Sequence, residues 1–198
     1  MSEIRVATRA DTAAVVRTVV RAFRDDPAFN FFFPGDDEYA SQAPLFVEAL
    51  FDARVDHNTV WVLPDAAGGS QIASLAMWSP PAGGAHESDL SALSDASLGR
   101  LRTYGAATHK GLPEHGIWYL GILATDPDHW GQRHGRRLME PGLRLTAAAG
   151  LPAYLETTKS QNVEMYQRSG WEVTNVIPVD AMDVTFLRHE GMVGAAAL

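Results

Sequence analysis

Tyr119-Leu120-Gly121-Ile122-Leu123-Ala124-Thr125, continued by Asp126-Pro127-Asp128-His129-Trp130-Gly131-Gln132-Arg133-His134-Gly135-Arg136-Arg137, decides the fold of this chain. The first seven residues read as an apolar strand. A short loop with Gly131 and Gly135 follows, then a basic helix start. Such a layout makes an anion site. Backbone N–H groups at a helix N-terminus lack partners within the helix, and the helix dipole places partial positive charge there. Gly131 and Gly135 remove side chains that would hold a phosphate away from the backbone. Arg133, Arg136 and Arg137 add full charges. A strand feeding this loop points to a ligand with a pyrophosphate.

The rest of the composition agrees with a small-molecule protein. A chain of 198 residues, 46% of them hydrophobic, fits one domain with a full-sized core. There are no cysteines, which excludes disulfides, thiolate metal sites and cysteine nucleophiles. The formal charge of −8 argues against a nucleic-acid partner, which asks for a basic face. No run is apolar and long enough to cross a membrane, and Met1 to Arg9 is no signal peptide. These features predict a soluble cytoplasmic protein. They leave its oligomeric state open between monomer and homodimer.

Periodicity places the other elements. Ile4 to Thr8 alternates as a strand, and Thr8 with Asp11 forms a variant capping box. Val15, Val16, Val19, Val20 and Phe23 follow helical spacing, with a stop near Asp25-Asp26-Pro27. Phe29, Phe31, Phe32 and Phe33 read as a breaker-flanked loop, either a plug on the core or the wall of a pocket. A helix follows from about Asp37 to Val55, with Leu45, Phe46, Ala49 and Leu50 facing inward. Val60–Leu63 and Ile72–Trp78 are a strand pair. Ser88 to Thr108 is helical, and His109 to Gly116 is a loop. After the central strand comes a helix from Gly135 to Ala149, with Pro141 inside it and Gly150 as its stop. Ala153–Thr157 is a strand, Asn162–Arg168 a short helix, and Trp171–Val176 and Ala181–Leu187 are two closing strands. The predicted domain spans residues 1–189, with 190–198 as a flexible tail. Strands outnumber crossovers, so the class is mixed α/β or α+β rather than doubly wound.

Three blocks resemble the GNAT superfamily of acyl-CoA-dependent N-acetyltransferases. Thr125 to Gly135 is similar to the family's pyrophosphate motif: a proline, two residues, Gln or Arg, then Gly-x-Gly-x-Gly/Ala. It departs twice, with Trp130 at the Gln/Arg position and Arg133 at the middle glycine. Tyr154-Leu155-Glu156-Thr157 with Asn162 to Trp171 resembles the strand–helix block in which an Asn and a Tyr precede a Gly-aromatic pair. Arg9 to Pro27 and the Phe-rich segment are similar to the opening of one subgroup. In length, in the Asn-to-Tyr block and in Pro141, puromycin N-acetyltransferases are the nearest likeness, but their acceptor is not carried over. The resemblance implies a central mixed sheet of about six to seven strands, splayed at a bulge and flanked by helices. It implies acetyl-CoA as cofactor and a small-molecule amine as acceptor, acetylated by direct attack on the thioester. A catalytically silent acyl-CoA sensor and a protein or peptide N-acetyltransferase are the other readings.

The resemblance also assigns roles. Leu123, Ala124 and Thr125, at the end of the central strand, would meet the pantetheine arm and acetyl oxygen. Trp130, Gly131, Gln132, Arg133, His134, Gly135 and Arg136 would hold the pyrophosphate. Asn162 would bond the arm, or else cap the short helix. Tyr166, one turn later, is the general acid at sulfur: a phenol, with a pKa near 10, holds its proton at neutral pH while a thiol titrates near 8.5. Its alternative role is an amphipathic core ring. For the base, Glu156 leads, with His115, Glu114, Asp26 and Asp25 behind it. The Phe29–Phe33 segment, Trp78, Trp118 and Pro80 to Gly116 would shape an acceptor pocket suited to an aromatic or amphiphilic amine. His129 and His134 lack metal-ligand spacing, so no metal is expected.

Overall fold

The computed structural model describes residues 3–66, 71–81, 88–114 and 116–191. Seven strands form one sheet: β1 (Arg5–Val6), β2 (Val60–Pro64), β3 (Ile72–Ser79), β4 (Trp118–Thr125), β5 (Ala153–Thr157), β6 (Glu172–Val179) and β7 (Met182–His189). Their order is β1-β2-β3-β4-β5-β7-β6. Every neighbouring pair is antiparallel except β4 and β5, which run parallel. Among the described residues six α-helices cover it: α1 (Thr12–Ala22), α2 (Pro27–Phe32), α3 (Asp36–Val55), α4 (Asp95–Gly111), α5 (His134–Ala149) and α6 (Ser160–Gln167).

Two features of β4 open the sheet. Its register with β3 slips between Met77 and Trp78, which face Ile122 and Leu120, so Gly121 is an extra residue. An extra residue reverses the side-chain phase of a strand. Leu120 accordingly packs with α5 in one core, and Ile122 and Ala124 pack with α1 and α3 in the other. The bulge lies near the middle of the strand, before its Leu123–Thr125 end. Secondly, β4 pairs with β5 only at Trp118–Ala153 and Tyr119–Tyr154. Beyond those pairs the two strands diverge, and the site lies in the gap.

Local chemistry explains where the elements differ from expectation. The Phe-rich segment is helix α2 rather than a loop. Asp26 before Pro27 ends α1 and also starts α2, because the Asp26 carboxylate accepts from the Ala28 and Phe29 N–H groups and a proline fits the first helical position. Phe29, Phe32 and Phe33 are buried there, so the aromatics do plug the core. In α4 the helix begins only at Asp95, capped by Ser94, and extends to Gly111. Leu45 of α3 faces outward, while Tyr39, Ala43, Phe46 and Val47 take the inner face. Gly111 and Gly142 are packing glycines: a Cβ would come 2.4 Å from the Phe186 ring and 2.2 Å from Trp78 Cε2, respectively. Gly142 follows Pro141, which α5 accommodates. Residues 192–198 of the expected tail lie outside the described residues, whereas Gly191 donates to His189 Nδ1 and packs on α5.

Candidate active site

The loop after β4 is built to present backbone. Asp126 turns the chain by accepting from the Asp128 N–H, and Arg21 pins the turn by donating to Asp126 and Asp128. Gly131 and Arg133 then adopt positive φ, +79° and +59°, and α5 begins at His134 with no side chain capping it. Its first N–H groups therefore point into the gap unpartnered by side chains. They border a cavity of about 760 Å³ between the N-terminal end of α5 and α6. Arg133, Arg136, Lys159 and Arg168 add positive charge to its wall, Arg168 also pairing with Glu164. A groove with an uncapped helix start and four cations has the chemistry to hold a diphosphate.

The predicted cofactor contacts mostly line this groove. Leu123, Thr125, Trp130, Gly131, Arg133, His134, Gly135, Arg136 and Asn162 do so. Ala124 and Gln132 do not. Ala124 alternates into the α1–α3 core, 1% exposed, with its carbonyl accepting from Ser74. Gln132 points to solvent. Trp130 departs from the family motif in a specific way. Its ring is 62% exposed at the mouth of the groove, and its indole N–H donates to the Thr125 carbonyl at 2.9 Å. It thus ties the loop back to the strand end. Gly135 lets α5 sit against Leu123, 3.5 Å from where a Cβ would lie. Burial, then Arg137 and His129, hold the His134 imidazole below its usual pKa.

A second cavity, about 240 Å³, continues from the first between α2, α3, α4 and the splayed strands. The two share Phe23, Asp26, Leu123, Asn162 and Tyr166. Tyr166 is 7% exposed, stacked edge-on against Trp171, and fronts both spaces. Burial, and then Glu156 and Asp26, push its phenol well above 10. Asn162 lies within the first turn of α6, whose N-cap is Lys159, and its amide donates to Thr157 Oγ1.

Glu156 lines the second cavity and not the groove. Burial raises its carboxyl to about 7, against the opposing hydrogen bond from Tyr119. That hydroxyl lies 2.7 and 2.6 Å from the two carboxylate oxygens. Of the other base candidates, Asp26 borders both cavities while its carboxylate caps α2, Asp25 is exposed and lines neither cavity, Glu114 borders a separate depression by Pro113, and His115 lies outside the described residues. Trp78 and Trp118 belong to the core under α5 rather than to the pocket. The expectation from Pro80 to Gly116 narrows to Leu101, Tyr104, Gly105 and Thr108 of α4, which do line it. Sequence reading missed Arg54 and Tyr119. Arg54 had one visible signal: it is a cation four residues after Leu50 on an apolar helix face. His129 pairs with Asp65, and no metal-binding cluster occurs among the described residues.

Comparison with known proteins gives the same architecture. A family model for the acetyltransferase (GNAT) family matches residues 23–171. A solved structure described as histone acetyltransferase HPA2 and related acetyltransferase from Corynebacterium glutamicum is 24% identical, with a TM-score of 0.71 over 96% of this chain and 97% of that one. Arylalkylamine N-acetyltransferase 2 from Aedes aegypti is 13% identical, with a TM-score of 0.69 over 95% and 98%. The Drosophila melanogaster polyamine N-acetyltransferase, which forms N-acetylagmatine, is 16% identical, with a TM-score of 0.63 over 96% and 100%. These likenesses concern the fold. The family match takes in the splayed strands, the α5 loop and the Asn162–Tyr166 helix together, and by it the chain belongs to the GNAT acetyltransferase family.

Proposed function

We propose that the protein is an acetyl-CoA-dependent N-acetyltransferase whose acceptor is the primary amine of a small aromatic or amphiphilic molecule. One observation carries this reading: a cationic groove and an aromatic-walled cavity meet at Tyr166, with a carboxylate in the cavity. Bound acetyl-CoA supplies an activated acetyl group, which the amine takes directly, since the chain has no cysteine to carry it. Gly131, Arg133, His134, Gly135 and Arg136 hold the diphosphate at the start of α5. Leu123, Thr125 and Asn162 line the path from there to Tyr166.

The acid–base roles follow from the two environments. An alkylamine with a lysine-like pKa near 10.4 arrives protonated at pH 7 and must lose a proton to react. Glu156, with its carboxyl near 7, is matched to take it. Tyr166 keeps its phenolic proton across the working range and offers it where the leaving sulfur forms. The Phe29, Phe32 and Phe46 rings exclude water and orient the acceptor's apolar body.

Purified protein, acetyl-CoA and a panel of amines and peptide N-termini test the proposal by thiol release. The expected result is release that depends on an aromatic amine. Calorimetric CoA binding without amine-dependent release would identify a silent sensor instead. Turnover confined to peptides would identify a protein acetyltransferase.

A further inference from the structure

The acceptor cavity has a second polar end. Arg54 enters it from the last turn of α3, beside Tyr119 and the bulge glycine Gly121. Its Nη1 donates to the Leu50 carbonyl at 2.7 Å and its Nε to Ser79 Oγ at 3.1 Å. Both partners are neutral. Among the described residues no carboxylate comes within ion-pair distance of the guanidinium, and Nη2 makes no hydrogen bond. That nitrogen would sit 3.9 Å from a Cβ on Gly121, so it stands at the cavity wall. A guanidinium withdrawn from water is costly unless an anion compensates it. Burial indeed depresses its pKa. Arg is also the side chain suited to planar, two-pronged recognition of a carboxylate.

The order along β4 gives the distance. Leu123 marks the end that opens to the cofactor groove, and Tyr119, beside Arg54, the other end. With Gly121 bulged out, about three regular strand rises separate them, roughly 10 Å. Glu156 lines the same cavity, its carboxylate held by the Tyr119 hydroxyl. The cavity, at about 240 Å³, is smaller than the roughly 300–1,000 Å³ usual for drug-sized ligands. Its size suits a single ring.

Resting on the acetyltransferase reading, we propose that the acceptor is a monocyclic aromatic amine bearing a carboxylate remote from its amino group, with the carboxylate bound by Arg54 and the amine at Glu156. The cation and the carboxylic acid then complement the two ends of one zwitterion. Neutral arylalkylamines of the same shape leave Arg54 uncompensated and bind less well.

Calorimetry in the presence of CoA tests this without relying on turnover. The probes are 4-methylbenzoate and its neutral counterpart, 4-methylbenzyl alcohol. The wild-type protein is expected to prefer the carboxylate at least about 10-fold, the size of one charge-assisted contact. Arg54→Met should abolish that preference and Arg54→Lys retain part of it. The melting temperature of Arg54→Met should hold or rise, because an uncompensated cation is removed. Equal affinity of the two probes for wild type, or a preference that survives Arg54→Met, overturns the proposal. If Arg54→Met does not fold, Arg54→Gln answers the same question. Acetyl transfer to 4-(aminomethyl)benzoate and 4-methylbenzylamine forms the second arm. Failure with both amines counts against the acetyltransferase reading, while equal kcat/KM for the two overturns the Arg54 assignment alone.

Discussion

The hydroxyl of Tyr119 lies within 2.7 Å of both carboxylate oxygens of Glu156, across the gap where β4 and β5 part. One donor thus steadies the whole carboxylate in a cavity whose burial otherwise favours its neutral form. The two effects pull the Glu156 pKa in opposite directions, and burial wins. The residue is left poised near neutrality, where a general base works best.

Activity should therefore rise with pH through a limb near 7, as Glu156 loses its proton. Tyr119→Phe removes the hydrogen bond that favours the charged form, so the limb should move to higher pH. Glu156→Gln should flatten the limb and lower kcat by about 10²- to 10⁴-fold. A kcat/KM profile from pH 5 to 9 for the three proteins checks this. A purely structural Tyr119 would alter stability and leave the limb in place.

The same shift has a stability consequence. Folded Glu156 holds its proton to about pH 7, while the unfolded residue releases it near 4.5. Between those values the folded state binds more protons, so its contribution to stability falls as pH rises through that window. Glu156→Gln, which cannot ionise, should lose this dependence and exceed wild type at pH 8 by about 3 kcal/mol. Urea denaturation at pH 5 and pH 8 measures it.

Tyr166→Phe should separate chemistry from binding. The ring fills its place against Trp171 in either protein, so folding and CoA affinity should hardly change. Loss of the phenolic proton at the junction should cut kcat by about 100-fold. Because that phenol titrates well above 10, wild type should show no alkaline limb from it below pH 9. CoA calorimetry alongside steady-state kinetics tests both statements.

Arg133 occupies a left-handed backbone position at the N-cap of α5, where the family motif carries glycine. A left-handed conformation costs an L-residue about 1 kcal/mol that glycine avoids. Arg133→Gly should thus raise the melting temperature while weakening CoA binding about 3- to 10-fold, through loss of one exposed cation. Arg136→Ala should weaken binding similarly with no gain in stability. Opposite signs in melting and affinity for Arg133→Gly alone are the diagnostic result.

What could be read in the sequence was local. The strand, loop and helix from Tyr119 to Ala149 were legible because each carries its own signals: an apolar run, glycine at turns, a glycine stop at Gly150. The placing of Tyr166 and Asn162 on one helix followed from their spacing. The inward face of α3 was misread at Leu45, because aromatic packing by Tyr39 and Phe46 outweighs a leucine's hydrophobicity. The Arg54–Tyr119–Glu156 set was invisible for a different reason. It joins α3, β4 and β5, and only the strand register and the bulge at Gly121 bring the three together. No spacing within one segment encodes that. Ala124 lines neither cavity, because alternation along the strand sends its side chain to the core.

The closest packing under the site makes the final prediction. Gly142, directly after Pro141, lies so near the buried Trp78 indole that an added Cβ would be 2.2 Å from Cε2. Trp78 is fully buried and stacks toward Trp171, which in turn backs Tyr166. It cannot retreat without disturbing that chain of rings. Gly142→Ala should therefore destabilise the protein by about 1–3 kcal/mol despite alanine's better helix propensity. In a chain of this length that is a fall of about 2–4 °C in Tm per kcal/mol. Trp78→Phe should restore most of the loss by freeing space beside residue 142, and non-additive melting temperatures in the double variant would demonstrate the contact. Additive losses would show that Gly142 matters for the helix backbone and not for Trp78.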